Sequence, residues 1–200
     1  MVDNFEIIKP LLKFNNSDEF YFLQIIQRKK DFIKGQERHG RDNNSRLIRA
    51  YYIYSAEQLE DYKEEIIKLC ELFNARAGIN LNKRNNKDVA IKCLEILAIA
   101  MRKNDEFKGI SKIYSSACGK ERSTDKLWIV DIDNMTYDEI FDVINYFSIE
   151  CMPEGNKLIS KIPSKNGVHL ITTKFDRKKF SEKYPTIEIH CNNPTNLYIP

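Results

Sequence analysis

Residues 20–27, Phe-Tyr-Phe-Leu-Gln-Ile-Ile-Gln, concentrate aromatic and β-branched side chains and predict a strand. The pattern then breaks into a polar, basic stretch over residues 28–45, with Gly35, Gly40 and Asp42-Asn-Asn-Ser45 as loop signals. A connection of 18 residues is long for a compact domain, and loops of that length are often functional or disordered. Residues 47–54 predict a second strand. Ser55 and Gln58 form a capping box, after which Leu59, Tyr62, Ile66, Leu69, Cys70 and Phe73 recur at helical spacing to residue 74. A strand over 75–81 and a polar turn over 82–86 lead to a helix over 87–102. That helix is apolar on most sides, which predicts a central position.

Residues 104–125 are mixed, with a short helix expected at 110–114. The second half opens on an apolar strand, 127–133. Thr136 and Glu139 then make a capping box for a helix over 137–147. Two strands, 157–162 and 168–173, flank residues 163–167, where Asn166-Gly167 is a hairpin signal. A short basic helix (177–183), a strand (186–190), a polar turn (192–196) and a last apolar run (197–200) follow. The alternation predicts an α/β (α+β) protein of one domain, 1–200. Its expected parts are an N-terminal α/β unit, 1–104, and a second unit, 105–200, with helices packed on a mostly antiparallel sheet.

The net charge of +3 does not by itself point to nucleic acid. Local charge is less even. Residues 28–49 hold eight Lys or Arg against three acids, and Arg76, Lys83, Arg84 and Lys87 make a second basic patch. Both patches suit phosphates, with Arg41, Arg46, Arg49, Lys83 and Arg84 as candidate nucleic-acid contacts, and both equally suit solvated loops. The five cysteines (70, 93, 118, 151, 191) are scattered and odd in number, a reduced cytoplasmic pattern without zinc-ligand spacing. No apolar run reaches membrane-spanning length, and no signal-peptide pattern opens the chain.

Chemistry concentrates at the end of the 127–133 strand. Asp131 and Asp133 are two apart, so they project from one face. Adjacent carboxylates raise each other's pKa, and a divalent cation between them removes that cost. The same residues, followed by Asn134, also suit ordinary turn and cap chemistry. Two more segments bear on the choice: Ser164-Lys-Asn-Gly-Val-His169 and Ile187-Glu-Ile-His190. In each, a polar residue (His169, Glu188) alternates with apolar neighbours and points away from the apolar face.

The three segments Trp128-Ile-Val-Asp-Ile-Asp133, Ser164-Lys-Asn-Gly-Val-His169 and Ile187-Glu-Ile-His190, in this order, resemble the motifs of the archaeo-eukaryotic primase superfamily. The likeness is to the minimal primase-polymerase cores of phages and plasmids. It covers about the last 70 residues by motif and the first half by topology alone. The resemblance implies an N-terminal α/β unit packed on a catalytic unit like an RNA-recognition motif. It implies a metal-dependent nucleotidyltransferase of DNA replication, a DNA or RNA template, nucleoside triphosphates, and a helicase or other replication proteins as partners. Asp131, Asp133 and Glu188 would hold Mg²⁺ or Mn²⁺. His169, Ser164, Lys165 and the backbone at Gly167 would meet the triphosphate. His190 shares the face of Glu188 and borders the site. The stretch 192–198 lacks the arginine that members of the family often carry after the third motif.

Two alternatives stand beside this expectation. One is a non-catalytic nucleic-acid-binding protein that uses the basic patches. The other is a metal-dependent nuclease on the same carboxylates, with His169 or His190 as base.

Overall fold

The computed structural model describes residues 1–31, 45–103, 107–121 and 126–200. The chain is of mixed α/β type, with two antiparallel sheets. The first sheet combines β1 (Val2–Asp3), β2 (Glu19–Arg28), β3 (Ser45–Ile53), β4 (Arg76–Ile79), β5 (Arg84–Asn85) and β10 (Thr195–Ile199). Its order is β1-β10-β4-β2-β3, with β5 paired to the start of β2. The second sheet combines β6 (Trp128–Asp133), β7 (Leu158–Pro163), β8 (Gly167–Thr172) and β9 (Glu188–His190), in the order β7-β8-β6-β9.

Most helices form where the spacing predicts them, but the short helix expected at 110–114 forms over 113–120, and one forms at Phe5–Ile8 that the spacing does not predict. Ser55 caps α2 (Ala56–Asp61) by accepting from the Gln58 amide. α3 (Lys63–Phe73) continues it and ends at Asn74, which adopts the left-handed conformation at φ 44°. These helices cover one face of the first sheet, burying Leu59, Ile66 and Cys70 against Leu23, Ile25 and Ile53. α4 (Asn86–Arg102) and α5 (Ile113–Lys120) cover the other, where Val89, Ala117 and Cys118 meet Phe20 and Phe22. α1 (Phe5–Ile8) buries Phe5 and Ile8 in the first core. Beneath the second sheet lie α6 (Tyr137–Asn145), extended by a π turn at Tyr146–Glu150, and α7 (Arg177–Lys183). Their apolar sides join Val130, Ile132 and Leu170 in a core rich in aromatic contacts.

Two further expectations are corrected. The helix expected at the centre, α4, lies on the surface: Val89 is its buried residue, while Ile91, Leu94, Ile99 and Met101 are exposed. Among the described residues a single helical layer covers that face of the sheet, and none lies over the far side of α4. The boundary expected at residue 104 is also displaced. α5 packs on α4 in the first unit. The last strand, β10, leaves the second unit and inserts between β1 and β4, pairing Val2 with Ile199. The hairpin expected at Asn166-Gly167 forms, with β7 and β8 joined by residues 164–166. The Gly167 backbone also pairs with β6 so closely that a Cβ would lie 1.9 Å from the Ile132 carbonyl oxygen.

A buried polar network holds the two sheets together. Asn82, just after β4, donates to the carbonyls of Leu127 and Cys191 (2.9 and 3.1 Å) and accepts from the Leu127 amide (2.7 Å). One side chain thereby satisfies the backbone at the start of β6 and just past the end of β9. Arg84 is 1 % exposed and donates to the carbonyls of Cys118 and Asn82 and to Asn192 Oδ1. Isoleucines 129, 162 and 171 of the second sheet enter the first core. One face of the second sheet is therefore divided. Part of it packs on the first sheet, and the remainder carries the polar residues. No helix among the described residues is long and apolar enough to cross a membrane.

Candidate active site

The period of two sorts β6 cleanly. Val130 and Ile132 point into the core beneath the sheet, so Asp131 and Asp133 share the opposite face. The ladder then selects their neighbours. Asp131 is paired with His169 on β8 and with Glu188 on β9, while Asp133 is paired with Gly167. Directly opposed residues in antiparallel strands lie on one face. Asp131 is thus the centre of a row His169–Asp131–Glu188, with His190 one alternation further along β9.

His169 Nε2 lies 3.3 Å from Asp131 Oδ1. The contact is not a well-directed hydrogen bond, and Oδ1 remains a buried acceptor without an aligned donor. His190 Nε2 lies 3.2 Å from Glu188 Oε2 and 3.8 Å from Asp131 Oδ2, so one imidazole bridges the two carboxylates. The His169 contact, opposed by burial and aided by the fields of His190 and Arg28, holds the Asp131 carboxyl below its ordinary range. The mutual elevation expected of the two aspartates is therefore not what governs Asp131. Asp133 is exposed and accepts a long hydrogen bond, 3.4 Å, from Ser164 Oγ. Lys165 is exposed at the tip of the β7–β8 turn.

His169 itself is 8 % exposed and oriented from the other sheet. Thr195 Oγ1 sits 2.9 Å from its Nδ1, and Asn196 Nδ2 lies 3.5 Å from its Nε2. Both residues belong to β10. Sequence reasoning missed them because it placed the last strand in the wrong sheet. It also assigned Arg28 to a basic loop, whereas Arg28 ends β2 near enough to Asp131 to influence its charge.

The donor chemistry suits a hard divalent cation. Asp131, Asp133 and Glu188 offer oxygen ligands on one face, and Asp131 Oδ1 is an orphaned acceptor. As the side chains stand, no group of three or more His, Cys, Asp or Glu among the described residues is gathered closely enough to hold a metal ion. Glu188 is turned to His190, and with a side chain 75 % exposed it is free to change rotamer.

The basic candidates fare differently. Arg41 lies outside the described residues. Arg46 stacks over the Phe73 ring, and Arg49 pairs with Glu65 and covers Tyr51. Lys83 pairs with Glu19 at 2.7 Å, and Arg76 makes a two-pronged contact with Asp31. Arg84 is withdrawn as a nucleic-acid contact, because it is buried and its guanidinium donates within the fold. The second basic patch is therefore largely consumed by internal pairing. No protein-family model, curated protein or solved structure matches this chain.

Proposed function

We propose that the chain is a metal-dependent nucleotidyltransferase of the primase-polymerase type, adding nucleotides to a 3′-hydroxyl on a nucleic-acid template with release of pyrophosphate. The observation that carries this reading is the register that places His169, Asp131 and Glu188 in one row, with Asp133 on the same face. The βαββαβ order of the second sheet, β9-β6-β8-β7, also supports the expected likeness to an RNA-recognition motif.

Asp131, Asp133 and Glu188 would hold Mg²⁺ or Mn²⁺, with Glu188 released from His190. When bound, the ions supply charge neutralisation at the attacking hydroxyl and at the leaving pyrophosphate. Thr195 engages Nδ1 of His169, and Nε2, which lies 3.3 Å from Asp131 Oδ1, would meet a phosphate oxygen once Asp131 turns to the metal. Ser164 and Lys165 offer a hydroxyl donor and a point charge at the same turn. Catalysis on this plan is positioning and charge stabilisation, with Asp131 ionised throughout the neutral range.

The test is primer extension with Mn²⁺ and nucleoside triphosphates. The wild type is expected to extend, and Asp131→Ala/Asp133→Ala to fall to background. Equal product from both refutes the proposal. One observation favours a second reading, metal-assisted hydrolysis of a phosphodiester. His190 Nε2 sits between two carboxylates, the arrangement of a general base. Shortening of a labelled oligonucleotide without added nucleotides, lost in His190→Gln, would select it.

A further inference from the structure

A groove of about 1010 Å³ opens at the start of β6, away from Asp133, between the α4–α5 layer and the start of α7. Its wall carries Lys120, Lys126, Lys174 and Arg177, with Glu121 as a lining carboxylate. Lys92 stands at one rim, already paired with Glu95 at 2.6 Å. No described carboxylate forms a salt bridge with Lys120, Lys126, Lys174 or Arg177. These charges come from three separate parts of the chain, so no local sequence run reveals them. Trp128 also lines the groove, and the Arg177 guanidinium lies over its ring at 5.6 Å.

We propose that this groove binds single-stranded nucleic acid, with phosphates on the lysines and an unpaired base stacked on the Arg177–Trp128 pair. Converging positive charge selects a polyanion, and the concave shape disfavours a flat membrane surface. The stacked guanidinium and indole select a planar base over an acidic peptide. Stacking platforms beside cationic walls bind single strands without regard to sequence. Trp128 and Asp131 are on one strand, roughly 10 Å apart along it at 3.3 Å per residue, but three positions apart, so Trp128 lies on the face of Val130 and Ile132 and Asp131 on the other. Cys191, which follows β9 directly after Glu188 and His190, lines the groove as well. The groove and the carboxylate row thus share two strands but open on opposite faces of the sheet, and the choice of nucleic acid rests on the charge and stacking in the groove and in part on the nucleotidyltransferase reading.

The assay uses Trp128 itself, the only tryptophan in the chain. A short oligothymidylate is titrated in EDTA, and intrinsic fluorescence is read. Quenching is expected, with affinity falling as salt rises. Lys126→Gln/Lys174→Gln is expected to weaken binding at least about 10-fold at low salt. Its log–log salt slope should be shallower by about 1.4, two phosphate contacts at 0.7 each. Lys68→Gln, on α3 across the first sheet from the groove, should bind like the wild type, and a titration run in EDTA without nucleotides reads the groove separately from the catalytic reading. Absence of quenching, or an unchanged affinity and slope in the double variant, overturns the proposal. So does equal competition by polyglutamate, which would make the site a general polyanion surface. Circular dichroism of the double variant keeps a folding defect from being counted as lost binding. Should that variant unfold, Arg177→Gln provides the same comparison.

Discussion

Gly167→Ala tests the tightest approach at any described glycine. The added Cβ would meet the Ile132 carbonyl oxygen at 1.9 Å, the Ile132 carbonyl carbon at 2.9 Å and Asp133 Cα at 3.1 Å. All three are backbone atoms of β6, so no side chain can swing aside. Reaching an ordinary contact opens β8 from β6 by about 1.5 Å at the Asp133–Gly167 pair. Crowding of this kind costs about 1–3 kcal/mol, and loss of a terminal ladder hydrogen bond adds about 1 kcal/mol. In a chain of this size each kcal/mol lowers Tm by about 2–4 °C, so the melting temperature should fall by about 5–15 °C. Thermal unfolding followed by circular dichroism reads this directly. The contrast is Gly119→Ala in α5, where a Cβ meets nothing within 4 Å. There the lost backbone freedom of the unfolded chain should raise stability by about 0.5–1 kcal/mol. Gly167→Ala also shifts Asp133 and the Ser164–Lys165 turn relative to Asp131. Primer extension should therefore fall further than the unfolded fraction explains. A Gly167→Ala protein melting within about 2 °C of the wild type would refute the close approach and the strand placement built on it.

Two other perturbations separate structural from site roles. Arg84→Met leaves the Asn82 and Cys118 carbonyls and Asn192 Oδ1 without their buried donor, and should cost about 3–5 kcal/mol in chemical denaturation; a loss under about 1 kcal/mol would contradict the network. His169→Gln removes the main influence lowering the Asp131 pKa while its burial remains, so that pKa should rise. A carboxylate with a depressed folded pKa contributes stability above its unfolded value, near 3.9, and loses it as pH falls through the folded value. In His169→Gln the acid loss should therefore begin at higher pH, and a carboxyl-detected NMR titration showing Asp131 unmoved would sink the assignment.

The individual elements were legible because their causes are local. Thr136 and Glu139 close a capping box that starts α6, and α7 occupies the residues its spacing predicts. The alternation in β6 and β9 puts Asp131, Asp133, Glu188 and His190 on polar faces without knowledge of any partner strand. That these faces belong to one surface depends on register, which adjacent strands settle between them. The sequence by itself also marked the hairpin at Asn166-Gly167, which forms between β7 and β8. That Gly167 also lets the backbone approach Ile132 of the neighbouring strand shows only in the packed sheet.

What the tertiary structure alone decided lies at longer range. β10 is five residues with no local mark of which sheet it joins, and its pairing with β1 and β4 brings Thr195 and Asn196 to His169. Arg84 reads as one charge in a basic cluster, yet carbonyls from distant segments enclose it. Lys120, Lys126, Lys174 and Arg177 are ordinary surface charges until the fold curves them around Trp128. Periodicity and caps act within a few residues, so the sequence determined the helices, the strands and the polarity of their faces. Which strands pair, which charges are buried and which converge depend on contacts between residues far apart in the chain, and those exist only once the chain has packed.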